Sequence, residues 1–173
     1  MPAPPPEIRD AAPEDAPAIG AILNRAIADT TASWTLSPKT DAEIADWLAA
    51  RREAGWPVLV AAEPGGAALA YAALGPFRKG EGYAPVAEAS VYVAEARRGA
   101  GVGRALMAEL AGRAARSGRS ALVAAIGADN AASLAFFARL GFREVGRLPG
   151  IGRKFGRALD LVLMQRDLTR EPG

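Results

Sequence analysis

Arg98-Gly99-Ala100-Gly101-Val102-Gly103 is the stretch on which the fold turns. Just upstream, Ala89 to Val93 is a short run rich in β-formers, the composition of a strand. Downstream, Leu106, Leu110 and Ala114 recur at helical spacing from Gly103 to about Arg116. A strand, a glycine turn and a helix start together make an anion site. The first amides of a helix lack carbonyl partners, and the helix dipole adds partial positive charge there. Phosphate is the natural guest, carried by a dinucleotide, a nucleoside triphosphate or coenzyme A. An ordinary strand-to-helix connection that uses glycine only for its geometry is the plain alternative.

The residues narrow that choice. A Rossmann fingerprint would place glycine where Arg104 stands, and the preceding segments read as a β-meander rather than a βαβ start. A P-loop needs Gly-Lys followed by Ser or Thr, yet none of Lys39, Lys79 and Lys154 follows a glycine. The arginines Arg97, Arg98 and Arg104 flank the turn and suit a small phosphorylated ligand.

Working outward, Glu7 to Asp10 reads as a strand and Glu14 to Ala28 as a helix with Ala18, Ile19, Ile22, Leu23, Ala26 and Ile27 on one broad face. Thr40-Asp41-Ala42-Glu43 has capping-box spacing and opens a helix to about Ala54. Val58 to Ala62 and Ala67 to Leu74 flank Pro64-Gly65-Gly66 as a hairpin, and Pro76 to Pro85 breaks regular structure. Ala121 to Ile126 reads as a strand, Ala131 to Leu140 as a helix, and Phe142 to Arg147 and Ala158 to Gln165 as two final strands. The expected order is β-α-α-β-β-β-α-β-α-β-β, within one domain over 7–168. Tails at 1–6 and 169–173 are expected to be disordered.

Composition excludes much chemistry. The 173 residues include no cysteine and no histidine, which removes thiolate nucleophiles, disulfides, the usual zinc sets and Ser-His relays, so no metal site is expected. A formal charge of +2 argues against a nucleic-acid partner. No apolar run approaches the length of a membrane span, and a cytoplasmic location is expected.

The motif Arg98-x-x-Gly101-x-Gly103 after Val91-Tyr92-Val93 resembles the pyrophosphate loop of the GNAT superfamily of N-acetyltransferases. Asn130-x-x-Ser133 with Phe136-Phe137-x-x-Leu140-Gly141-Phe142 resembles its later coenzyme A-contacting helix and the strand that follows. Within the superfamily, the phosphinothricin and methionine sulfone/sulfoximine acetyltransferases are the nearest resemblance. It is carried by Thr30-Thr31-Ala32-Ser33-Trp34, Pro57-Val58-Leu59-Val60-Ala61, Gly75-Pro76-Phe77-Arg78, Glu88-Ala89-Ser90-Val91-Tyr92-Val93 and Gln165-Arg166-Asp167-Leu168.

That resemblance implies an α+β fold, a mostly antiparallel twisted sheet of about seven strands flanked by about four helices. It implies acetyl-CoA as cosubstrate and direct transfer to the amino group of a small amino acid such as phosphinothricin, methionine sulfoximine or methionine sulfone. Val91, Tyr92 and Val93, the turn from Arg98 through Gly99, Ala100, Gly101, Val102 and Gly103 to Arg104, and Asn130, Ser133 and Phe137 are the implied coenzyme A contacts. Glu88 is the implied general base; strand parity puts its side chain on one face with Ser90 and Tyr92. A backbone N–H at the strand end, that of Val93, is implied as the donor to the acetyl carbonyl. Phe137 stands where the superfamily usually has a tyrosine or histidine, and it cannot donate a proton; water, Asn130 or the substrate ammonium is left to serve the thiolate. Asn130 also suits a helix N-cap.

Acceptor contacts are expected from Thr31, Trp34, Phe77, Arg78, Lys79, Gly80, Tyr83, Glu88, Ala89 and Ser90. Arg78 and Lys79 suit an anionic amino acid, although a solvated basic loop is the plain alternative. Gly80 occupies a position where the resembling enzymes often have arginine. Those enzymes are commonly homodimers, with the apolar strand Leu159 to Met164 a candidate interface. Two other functions stay open: acetylation of a protein N-terminus or lysine, and a coenzyme A sensor with little catalysis.

Overall fold

Near-continuous apolar runs in the central strands, buried on both sides, build a seven-stranded sheet with helices on both faces, seen in a computed structural model that describes residues 6–169. The strands are β1 (Glu7–Asp10), β2 (Val58–Ala62), β3 (Ala68–Pro76), β4 (Val86–Val93), β5 (Ala121–Gly127), β6 (Arg143–Lys154) and β7 (Arg157–Asp167). The helices are α1 (Ala16–Asp29), α2 (Asp41–Glu53), α3 (Val102–Arg116) and α4 (Ala131–Arg139). Spatial order is β1-β2-β3-β4-β5-β7-β6, and the pairing is antiparallel everywhere except between β4 and β5. The predicted element order and fold class hold. Apart from Pro6 and Thr169, the expected tails lie outside the described residues.

Successive strand residues point to opposite faces, and the two cores divide accordingly. Leu59, Ala70, Ala72, Ala87, Ala89, Leu122 and Ala124 pack with Leu106, Leu110 and Phe137 of α3 and α4. Val58, Val60, Tyr71 and Ala73 pack with Ile19, Ile44 and Leu48 of α1 and α2. The capping box of α2 closes as its spacing predicts. Thr40 Oγ1 accepts from Glu43 N–H at 3.2 Å, and the Glu43 carboxylate accepts from Thr40 N–H at 2.8 Å. No helix among the described residues is long and apolar enough to cross a membrane.

One reading needs correction. β6 runs to Lys154 rather than ending near Arg147, straight through Pro149, Gly150 and Gly152. It lies at the sheet edge and slips register twice, between Glu144 and Gly146 and between Leu148 and Gly152; an edge strand with bulges tolerates residues that would break a central one. The apolar strand Leu159 to Met164 turns one face into the core and leaves Leu161 and Leu163 half-buried on the other. It belongs to β7, paired on both sides, with Leu159, Val162 and Met164 buried. Most of the exposed large apolar side chains sit on the β6–β7 hairpin, at Val145, Leu148, Ile151 and Phe155; Leu36 and Tyr83 are the others among the described residues.

Candidate active site

The site begins where two parallel strands part. β4 pairs with β5 only at Val86, Ala87 and Glu88, the last opposite Val123, whereas its pairing with β3 continues to Val93. Beyond Ala89, one edge of β4 therefore has no strand beside it. Ala94 N–H donates to the Leu69 carbonyl at 2.9 Å, which fixes the phase of the β3 ladder. By the alternation of an antiparallel pair, Tyr92, Ser90 and Glu88 bond to β3, while the N–H and C=O groups of Val91 and Val93 face the open edge; the pairing of Glu88 with Val123 takes up the Ala89 N–H. Arg98 Nε, 3.4 Å from the Val93 carbonyl, reaches that same edge.

A cleft of about 130 Å³ occupies the fork, lined by Ala32, Glu88 to Tyr92, Ala124 to Gly127, Asn130, Ser133 and Phe137. It brings together the expected Glu88, Ala89, Ser90, Val91, Tyr92, Asn130, Ser133 and Phe137. Asn130 caps α4, its Oδ1 accepting Ser133 N–H at 3.1 Å. Phe137 is buried edge-on between Phe136 and Phe142, with ring centres 5.3 and 5.0 Å away, and forms an apolar wall of the cleft.

Beyond Val93 the glycine turn leads into α3. Gly99 and Gly101 have φ of 80° and 79°, backbone that side-chain-bearing residues rarely adopt, and Gly101 is the N-cap. The first bond into the helix runs from Ala105 N–H to the Gly101 carbonyl, leaving the amides of Val102, Gly103 and Arg104 directed out of the helix end. A Cβ on Gly103 would lie 3.2 Å from Val93 Cγ2, so glycine here permits close helix–strand approach. These groups fit a pyrophosphate in charge and shape. Arg98 and Arg104 are exposed beside the turn; Arg97 instead pairs with Glu63 of the β2–β3 turn.

Glu88 holds its proton more tightly than an ordinary glutamate. Desolvation by the surrounding protein raises its pKa, and the positive charges of Arg51 and Arg78 oppose that rise. Arg51 was not singled out from sequence. Its guanidinium donates to the Leu74 carbonyl at 3.0 Å, lies 5.7 Å over the Trp47 ring and fills the space beside Gly75. Gly75 is directly opposite Glu88, and a Cβ there would meet Arg51 Nη1 at 2.2 Å. A long side chain entering a notch left by a distant glycine is a pairwise fact without a local sequence signal.

The other expected acceptor residues do not line the cleft. Phe77 and Tyr83 meet edge-on at 6.1 Å with Arg78 over Phe77, and Arg78, Lys79, Gly80 and Tyr83 are exposed. Gly80 has φ 118°, a conformation that explains glycine in place of a side-chain-bearing residue. Thr31 hydrogen-bonds Asp129, and Trp34 packs against Gly152. Tyr92 stacks on Tyr71 at 5.3 Å and donates its hydroxyl to the Ala32 carbonyl at 3.4 Å.

Comparison with known proteins gives this geometry a family. The sequence pattern of the acetyltransferase (GNAT) family matches residues 20–142. An L-methionine sulfoximine/L-methionine sulfone acetyltransferase from Pseudomonas paraeruginosa is 45% identical over 161 residues, covering 93% of this chain and 94% of that protein. The crystal structure of ribosomal-protein-alanine N-acetyltransferase from Brucella melitensis is 45% identical, with a TM-score of 0.89 over 93% of this chain and 99% of the other. The GNAT superfamily phosphinothricin acetyltransferase from Sinorhizobium meliloti, in complex with acetyl-CoA, is 32% identical, with a TM-score of 0.90 over 98% of this chain and 94% of the other. On sequence, fold and site, the chain belongs to the GNAT family of acetyltransferases and is an N-acetyltransferase.

Proposed function

We propose that this N-acetyltransferase takes acetyl-CoA along the open edge of β4 and acetylates the amino group of a small amino acid of the methionine sulfoximine, methionine sulfone or phosphinothricin type. The observation that carries the reading is the fork itself. It sets Glu88 at the parting of β4 from β5, with the open-edge backbone groups of Val91 and Val93 on one side and Arg51 on the other. Acetyl-CoA supplies the acetyl group as a thioester. Val91 and Val93 hold the pantetheine arm by main-chain bonds, while Gly99 to Arg104 and Arg98 hold the pyrophosphate.

Glu88 accepts the proton released as the acceptor nitrogen bonds to the acetyl carbon. Val91 N–H, the first unpaired open-edge amide beyond Glu88, donates to the oxygen that gains negative charge, an interaction of the kind that contributes about 10²–10³-fold; at about 3.3 Å per residue Val93, at the pyrophosphate end, is too far along the strand from Glu88 for that role. The carbon–sulfur bond breaks and the thiolate departs, with its proton supplied by water or by the substrate ammonium because Phe137 has none to give. The raised pKa of Glu88 suits this work, since an ordinary carboxylate is too weak a base. Arg78 and Lys79 supply charge for the acceptor's carboxylate and its phosphinate or sulfoximine group. The exposed apolar side chains of β6 suit a homodimer face, which sedimentation equilibrium decides.

The Brucella relative's name favours one second reading, a protein N-terminal acceptor. Thiol release from acetyl-CoA, followed with L-methionine sulfone, L-methionine sulfoximine, phosphinothricin and an alanine-initiated peptide, separates the two. Turnover of the amino acids without the peptide is expected. Turnover of the peptide alone would overturn the assignment.

A further inference from the structure

The loop from Thr30 to Trp34 carries two expected acceptor residues, and segments far away in sequence hold it. Lys154 ends β6 and is only 4% exposed. Its ammonium donates to the Thr30 carbonyl at 2.7 Å and to the Ser33 carbonyl at 2.5 Å. Trp34 fills a notch at Gly152 of the same strand, where a Cβ would lie 2.3 Å from two ring carbons, and its Nε1 lies 3.5 Å from the Cβ position of Gly127. Thr31 Oγ1 donates to Asp129 at 3.0 Å, and the other Asp129 oxygen accepts from Arg157 of β7. Tyr92 ties Ala32 to the strand that carries Glu88. The loop is thus clamped between the β6–β7 hairpin and β4, with Ala32 on the cleft wall.

An ammonium taken out of water is unfavourable unless its donors are satisfied, and an apolar side chain would fill the same volume without that cost. What Lys154 supplies that methionine cannot is two charge-assisted bonds to the loop's main chain. Two carbonyls three residues apart, held by one ammonium, fix the curvature of the loop and hence the place of Thr31, Ala32 and Trp34 relative to Glu88.

We propose that Lys154 is a positioning residue for the acceptor, anchoring the Thr30–Trp34 loop from the β6–β7 hairpin without touching the substrates. The inference rests on the reading that this side of the fork takes the amine. Lys154→Met and Lys154→Arg are compared with wild type in steady-state kinetics against both substrates, with hydrogen exchange followed across residues 30–36. For Lys154→Met, the acceptor KM should rise roughly tenfold, the range set by losing hydrogen bonds to a charged group. The acetyl-CoA KM should stay unchanged and protection at 30–36 should fall, while Lys154→Arg, which keeps charge and donors, should recover part of both.

Unchanged acceptor KM and protection would overturn the proposal, as would an equal rise in both KM values. If Lys154→Met does not fold, Gly152→Ala reads the same clamp from its other side: it displaces Trp34 with Lys154 intact and should raise the acceptor KM alone. If wild type acetylates none of the amino acids, the functional reading fails. Exchange at 30–36 then decides separately whether Lys154 anchors the loop.

Discussion

The two ends of β4 are built in opposite ways. Past Val93, the turn and helix that suit the pyrophosphate come from one continuous stretch, with strand, glycines and α3 following each other in the chain. Around Glu88, the surroundings come from separated segments: Arg51 of α2, Gly75 of β3, Arg78 of the β3–β4 loop and Ala32 of the α1–α2 loop. On the proposed reading, the first end would meet a feature common to every coenzyme A, so one local device suffices. On that reading the second end would select among amines, and its parts can change independently while the sheet stays the same. A change at the donor end should therefore move acetyl-CoA affinity alone, whereas one at the acceptor end should move the base, the acceptor or both.

Glu88→Gln tests the point where the ends meet, with the largest expected effect. Loss of a general base should lower kcat about 10²-fold or more and remove the acid limb of the pH–rate profile, with little change in acetyl-CoA KM. Stability should move the other way. Desolvation raises the folded-state pKa of Glu88 above its unfolded value, so folding takes up a proton between the two. The stability contributed by this group is present below the unfolded pKa and is lost as pH rises through the folded one. Melting temperatures taken across the acid-to-neutral range should thus find Glu88→Gln at least as stable as wild type at neutral pH. A variant that is both active and less stable there would remove Glu88 from the role.

Gly75→Ala sharpens the acceptor end. The added Cβ would press on the far end of a flexible side chain, so Arg51 can swing away and the fold should lose no more than about 1 kcal/mol. Arg51 then no longer sits across the strand from Glu88, and its restraint on the carboxyl pKa weakens. The acid limb of kcat/KM should shift toward higher pH while the acetyl-CoA KM holds. An unshifted limb with Arg51 displaced would mean that Arg78 alone sets the counter-charge.

The same contrast explains what the sequence made legible. The glycine turn, the capping box at Thr40 and the Asn130 cap are written in neighbouring residues, and all three were readable to within a residue or two. Strand parity placed Glu88 with Ser90 and Tyr92, but no local pattern says where β4 and β5 separate. Arg51 entering the Gly75 notch, Trp34 seated at Gly152 and Lys154 reaching Thr30 each join residues 24 to 124 positions apart or nearly so, and each depends on the register of strands. Pro149 and Gly150 carry a turn signature that ends the strand in the sequence reading; in the fold they form an unpaired bulge, Gly150 at φ 62°, after which pairing with β7 resumes at Gly152.

The smallest expected effect concerns two adjacent arginines that look equivalent in sequence. Arg97 pairs with Glu63 on the β2–β3 turn, whereas Arg98 lies along the open edge of β4 beside the Val93 carbonyl. Arg98→Ala should therefore raise the acetyl-CoA KM about tenfold, the scale of one charge-assisted phosphate contact, and leave the acceptor KM alone. Arg97→Ala should change neither KM, and its folding stability, followed by thermal melting, should fall only by the worth of a partly exposed pair, about 0–1 kcal/mol. Equal rises in acetyl-CoA KM for the two variants would mean that the Glu63 pair opens when the cosubstrate binds. The donor end would then be a less rigid device than its glycine turn implies, and the contrast between the two ends of β4 would narrow.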